Sequence, residues 1–266
     1  MSLTELQMER RKTRFTASTG PSFLGYNPYE SPHAAWERHL GLSEPPENAF
    51  TSGGHDFEEA IAAAARHVKP EWWEGRKRPR VLVGSGKPDD DTLIDPQHDW
   101  LCATPDFIFT GEHGGESIQV KNHEPRMMRS YQDRPGALGE WDNALVPAQY
   151  MLQCQLEMIV LSGVTKIGQL LVYLTAHFGG ARPRVYRIRR DERLQVALLK
   201  AGYEFWLACI DKSGPRLPPD PARWPWRARA GPEPRRTPKL DRAALLMAPV
   251  PELPMSEIDL GQPFGE

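Results

Sequence analysis

Residues 101–121 read LCATPDFIFTGEHGGESIQVK. Leu101–Phe109 and Ser117–Lys121 have the apolar, β-branched character of strands, and TGEHGGE between them is a Gly-rich turn signal. The spacing predicts two strands folded back on each other. Side chains alternate between the two faces of a strand, so Gln119 and Lys121 point the same way. The hairpin brings Asp106 opposite residues 119–121, within cross-strand reach. A carboxylate, a second oxygen donor and a lysine then converge. That set suits phosphodiester hydrolysis, in which oxygen ligands hold Mg²⁺ and the metal polarises the phosphate and acidifies a water. The lysine would orient or deprotonate that water, or stabilise charge on the phosphate.

Working outward, Ser31-Pro32 opens a helix that Gly41 closes. Phe57, Ile61, Ala64, Ala65 and Val68 recur at helical spacing and predict a helix over 54–68. RVLV at 80–83 reads as a short strand. A helix is expected from Pro147 to Ser162, a strand over 166–174 and an alternating strand over 183–189. Asp191 caps a last helix with Leu194, Leu198, Ala201 and Phe205 on one face. The order α, α, β, β, β, α, β, β, α predicts an α/β domain with a mixed sheet, not a βαβα repeat. No Gly-rich phosphate loop is present.

The chain has 266 residues, 33 basic and 35 acidic side chains and a net charge of −2. A polycation is excluded, so any nucleic-acid contact must come from a local basic patch. Two clusters qualify: Arg10, Arg11, Lys12 and Arg14, and Arg182, Arg184, Arg187, Arg189, Arg190 and Arg193. Each reads either as a phosphate track or as a solvated charge run. Cys102, Cys154 and Cys209 show no CxxC spacing and read as reduced thiols. No apolar run is long enough to span a membrane and the N-terminus lacks a secretory core, so a cytoplasmic location is expected. Twelve of the 26 prolines fall in the last 54 residues. Residues 1–212 are therefore expected to form the folded domain, and 213–266 a largely disordered tail.

These stretches resemble the PD-(D/E)XK nuclease fold, a central mixed β-sheet flanked by helices. More narrowly, they resemble the phage lambda exonuclease and YqaJ-type viral recombinase family. TRFTASTGPSFLGYNPYESPHAAWERHLGL at 13–42 is similar to that family's opening block. Gly54 and Glu58 match its G-x-x-x-E helix, and LCATPD at 101–106 its aspartate motif. QVK at 119–121 stands where the family has E-x-K, and PAQYMLQCQLEM at 147–158 is similar to its Gln-bearing helix.

The resemblance implies a metal held by Asp106, the Gln119 side chain and the Val120 carbonyl, with Glu58 approaching directly or through water. It implies that Lys121 serves the attacking water and that Gln153 supports it. It places Arg11, seven residues before Ser18, as the grip on the 5′-phosphate of a DNA end, with Ser18 as a further donor. The cofactor would be Mg²⁺ or Mn²⁺, the substrate double-stranded DNA ends and the assembly a homotrimer. The partner would be a single-strand annealing protein, in a bacterial host or encoded by a phage. The implied activity is 5′→3′ exonuclease action in recombination or repair.

Each residue also has a plainer reading. Asp106 suits a turn, Lys121 an exposed strand end and Glu58 a helix first turn. The helix carrying Gln149, Gln153 and Gln155 is apolar nearly all round, so at least one glutamine is expected to face a cleft. Gln119 departs from the family pattern, since its carbonyl can coordinate a cation but brings no charge. Mrr-like restriction enzymes of the same superfamily carry Q-x-K there, which keeps activity open. The alternatives are an endonuclease or defence-type nuclease on the same fold, and a weakened module that only holds DNA ends.

Overall fold

The computed structural model describes residues 5–43, 92–111, 114–123, 146–161, 169–176, 184–213 and 216–223. The helix expected over 54–68, with Gly54 and Glu58, the strand at 80–83 and the tail from 224 onward lie outside the described residues.

The chain enters through α1 (Glu5–Lys12), β1 (Phe15–Thr16), the single turn α2 (Gly20–Phe23) and α3 (Pro32–Leu40). α3 begins and ends where its sequence says. Ser31 Oγ accepts the Ala34 amide at the N-cap, Pro32 fills the first turn, and Gly41 closes the helix at φ 73°. There follow β2 (Leu93–Ile94), β3 (Leu101–Ala103), β4 (Phe107–Gly111), β5 (Gly114–His123), α4 (Ala148–Val160), β6 (Gln169–Ala176), β7 (Arg184–Arg189) and α5 (Glu192–Phe205). Asp191 Oδ1 caps α5 through the Leu194 amide, and a π-helical turn, Trp206–Ile210, ends it.

The described strands form two sheets. One has the order β1-β3-β2, the other β4-β5-β6-β7. In the second, β4 and β5 are antiparallel, β5 and β6 parallel, and β6 and β7 antiparallel. This is the mixed α/β architecture expected from the element order.

One expectation is corrected. The single strand read over 101–109 is two strands, β3 and β4, in different sheets. Pro105 is the physical reason: it has no N–H to give a ladder, so pairing stops there and the chain passes from one sheet to the other. The hairpin itself holds, with Phe107 paired to Ile118 and Gly111 to Gly114. β5 is longer than the expected 117–121.

Helix α4 packs against both β3 and β6. The core gathers around Phe15, Phe23 and Phe205, with the Phe23 and Phe205 rings stacked at 4.5 Å. Two indoles close it: Trp36 Nε1 donates to the Cys209 carbonyl at 2.7 Å, and Trp206 Nε1 to the Thr13 carbonyl at 2.9 Å. Cys102, Cys154 and Cys209 are buried and free. No helix among the described residues is long and apolar enough to cross a membrane.

Candidate active site

The break at Pro105 leaves Asp106 at the head of β4, one position before the Phe107–Ile118 pair. Extending that register by one residue sets Asp106 against Gln119. The side chains meet: the Gln119 amide donates to Asp106 Oδ2 in a short hydrogen bond. Gln119 is 4% exposed, and its Oε1 is buried with no hydrogen-bond partner. Two residues on, Lys121 lies with its Nζ 5.7 Å from the centre of the Tyr150 ring on α4. That contact is within cation–π range.

Helix α4 packs on β3 and β6 and brings Tyr150 to Lys121. Tyr150, Gln153 and Glu157 share one face at helical spacing. Gln153 Nε2 donates to Glu157 Oε1 at 2.8 Å, so the amide turns along its own helix. Glu157 is 1% exposed, and its Oε2 has no hydrogen-bond partner. Burial first, and then the charge of Asp106, push the Glu157 carboxyl up to about 8, while Gln153 and Lys121 pull the other way. Sequence reasoning missed Glu157. The one available signal was the single charged side chain of a helix that is apolar apart from its glutamines.

Gln155 has structural partners. Gln155 Nε2 donates to the Arg189 carbonyl, its Oε1 accepts the Asp191 amide, and Gln195 donates to it as well. Gln155 therefore ties α4 to the β7–α5 junction. Gln149 is buried with an unpartnered Oε1.

Arg11 and Ser18 are brought together across the turn formed by α1 and β1. Arg11 Nη2 donates to Ser18 Oγ at 2.7 Å, and Nη1 to Thr104 Oγ1 at 3.0 Å. Thr104 is two residues from Asp106, so the guanidinium stands next to the strand break. Its burial lowers the guanidinium pKa. The rest of the opening cluster divides: Arg14 is a strut to the carbonyls of Asp99 and Arg10, whereas Lys12 is exposed. In the second cluster Arg190 is drawn inward to the Met158 carbonyl at the end of α4.

The donors available to a cation are the Asp106 carboxylate, Gln119 Oε1 and the main-chain carbonyl of Val120. All are oxygens, which suits a hard divalent ion such as Mg²⁺. The unpartnered buried Oε1 of Gln119 is an acceptor that such an ion would satisfy. Among the described residues no three His, Cys, Asp or Glu side chains gather at a metal-binding distance. Glu58 lies outside them.

No curated protein matches the chain. Among solved structures, the alkaline exonuclease LHK-Exo from Laribacter hongkongensis matches at 15% identity and a TM-score of 0.49, covering 77% of this chain and 91% of that one. The same exonuclease in complex with dAMP matches at 16% identity and a TM-score of 0.47, covering 76% and 89%. The model of the YqaJ-like viral recombinase domain matches residues 8–166. That span is more than half of the 266 residues. It contains the Arg11–Ser18 pair, the Asp106–Gln119–Lys121 strand pair and helix α4. The chain belongs to the YqaJ-like viral recombinase domain family.

Proposed function

We propose that the chain is a divalent-metal-dependent deoxyribonuclease that degrades the 5′-ended strand of duplex DNA from its ends. The observation that carries this reading is one cluster. Asp106 is hydrogen-bonded to Gln119, Lys121 lies on the same strand, and Arg11 and Ser18 are joined through Thr104 to the residues leading into Asp106.

Asp106, Gln119 Oε1 and the Val120 carbonyl would hold the cation, with Glu58 as a further candidate. A bound cation supplies charge to the scissile phosphate and acidifies a water. Lys121 orients that water; the Tyr150 ring restrains its long side chain. Gln153 acts at one remove, by fixing Glu157. Arg11 Nη2 and Ser18 Oγ, already 2.7 Å apart, present N–H and O–H donors to a terminal 5′-phosphate. Exchanging their mutual hydrogen bond for phosphate contacts costs little, because both groups are already in place.

Degradation of 5′-labelled linear duplex and of covalently closed circles, each with Mg²⁺ and with chelator, tests this reading. Early release of label from linear DNA, intact circles and no reaction in chelator are expected. Cleaved circles would make the chain an endonuclease. A second reading is favoured by the neutral amide at 119, which donates to Asp106 instead of adding charge: a module that holds ends and cleaves poorly. Tight binding of ends without cleavage at any Mg²⁺ concentration would select it. The family resemblance supports a homotrimer that works with a single-strand annealing protein in a bacterial cytoplasm. Sedimentation at about three times the 30.1 kDa chain mass is the expected result.

A further inference from the structure

The cation site on β4 and β5 is one negative charge short, because position 119 is an amide. Two side-chain oxygens are buried and unpartnered, Gln119 Oε1 in that site and Glu157 Oε2 on α4. An orphaned buried acceptor is costly, and a bound cation is one partner that would satisfy it. Glu157 is on the α4 face that carries Tyr150, and Tyr150 lies under Lys121. Its other oxygen is held by Gln153, which fixes the carboxyl group and leaves Oε2 as the unsatisfied end.

We propose that Glu157 supplies a carboxylate to the cation site from α4, in place of the one that position 119 lacks. The inference rests on the reading above, that the site takes a divalent cation. The electrostatics agree with the placement. Glu157 senses both Asp106 and Lys121, the two charged members of the strand pair. Gln119 and Glu157 are then complementary: the amide accepts the cation through Oε1 while its N–H₂ steadies Asp106, and the missing charge comes from the helix.

The test is Mn²⁺ binding to the full chain without DNA, followed by the loss of the free-ion electron paramagnetic resonance signal. Four proteins are compared: native, Asp106→Asn, Glu157→Gln, and the double variant Gln119→Glu/Glu157→Gln. Glu157→Gln should weaken Mn²⁺ binding by about ten-fold or more, the range seen when a group that supports a metal is lost. The double variant, which returns a carboxylate at 119, should recover most of that loss. Unchanged binding in Glu157→Gln, with binding lost in Asp106→Asn, would overturn the role of Glu157 and leave the metal site standing. No saturable binding to the native protein would overturn the metal reading itself. Thermal melting without metal checks the fold. If Glu157→Gln alone does not fold, the double variant decides: near-native Mn²⁺ affinity supports the exchange, and no binding refutes it.

Discussion

Asp106 accepts the Gln119 amide, and this one hydrogen bond joins two halves of a motif thirteen residues apart. Asp106→Ala should reduce cleavage of linear duplex by about 100-fold or more, since removal of a charge-stabilising group has that order of effect. Lys121→Ala should do the same; its ammonium stands over the Tyr150 ring. Single-turnover rates at saturating Mg²⁺ give the comparison, and circular dichroism confirms the fold. Arg11→Ala is a different kind of change. It should erase the rate preference for 5′-phosphorylated over 5′-hydroxyl ends and leave slow cleavage of both. Equal rates on the two ends in the native protein would remove Arg11 from that role. At this scale the sequence was legible where partners are close along the chain or across a hairpin: the seven-residue interval from Arg11 to Ser18 closes into a contact. Glu157 was not legible, because the charges it senses, Asp106 and Lys121, come from the β4–β5 pair, and no local pattern encodes that.

Helix α2 is only four residues long, yet it fixes how the opening block meets α4. A Cβ on Gly20 would stand 2.7 Å from both Leu156 Cδ1 and Phe15 Cε1. Gly20→Ala should therefore destabilise the fold by about 1–3 kcal/mol, the usual cost of overpacking, read as a lower denaturant midpoint. Helix α3 carries a pH-sensitive contact. The His39 ring meets Phe23 edge-on at 5.2 Å, and its Nε2 is buried without a partner. Burial, then the charges of Arg11 and Arg38, lower its pKa to about 3. The unfolded chain takes up a proton near pH 6.5, where the folded chain does not. Stability from His39 is thus complete above 6.5 and is lost as pH falls toward 3, at up to about 1.4 kcal/mol per pH unit. His39→Phe should flatten the denaturation midpoint between pH 6.5 and 5; a slope equal to the native one would refute the assignment. Elements with local punctuation were read correctly from sequence, as the caps of α3 and α5 show. The split of 101–109 was missed although Pro105 announces it. Apolar pattern alone cannot tell one strand from two that serve different sheets.

On the scale of the whole molecule, the sequence sets the end of the folded domain at 212, from the proline density beyond it. The reasoning is sound for backbone pairing, since prolines cannot sustain a ladder or a helix. It does not forbid a Pro-rich segment from packing as an extended strap. Residues 216–223 have the contacts of such a strap: the Leu217 amide donates to the Ala208 carbonyl at 3.2 Å, Pro219 is buried, and Arg223 pairs with Glu204 on α5. The Ala208 carbonyl belongs to the π-helical turn, where the widened helix presents its carbonyls differently from an α-helix. Two truncations separate the boundaries. A chain ending after Arg223 should melt within about a degree of the full chain. One ending after Ser213 loses a backbone hydrogen bond, a buried proline and a partly exposed ion pair, together about 1 kcal/mol. For a domain of this size that lowers Tm by about 2–4 °C. Equal melting of the two truncated chains would put the boundary at 212, as proline density alone suggests. A drop confined to the shorter chain would make the strap part of the folded domain, and would explain why α5 ends in a π turn instead of unwinding.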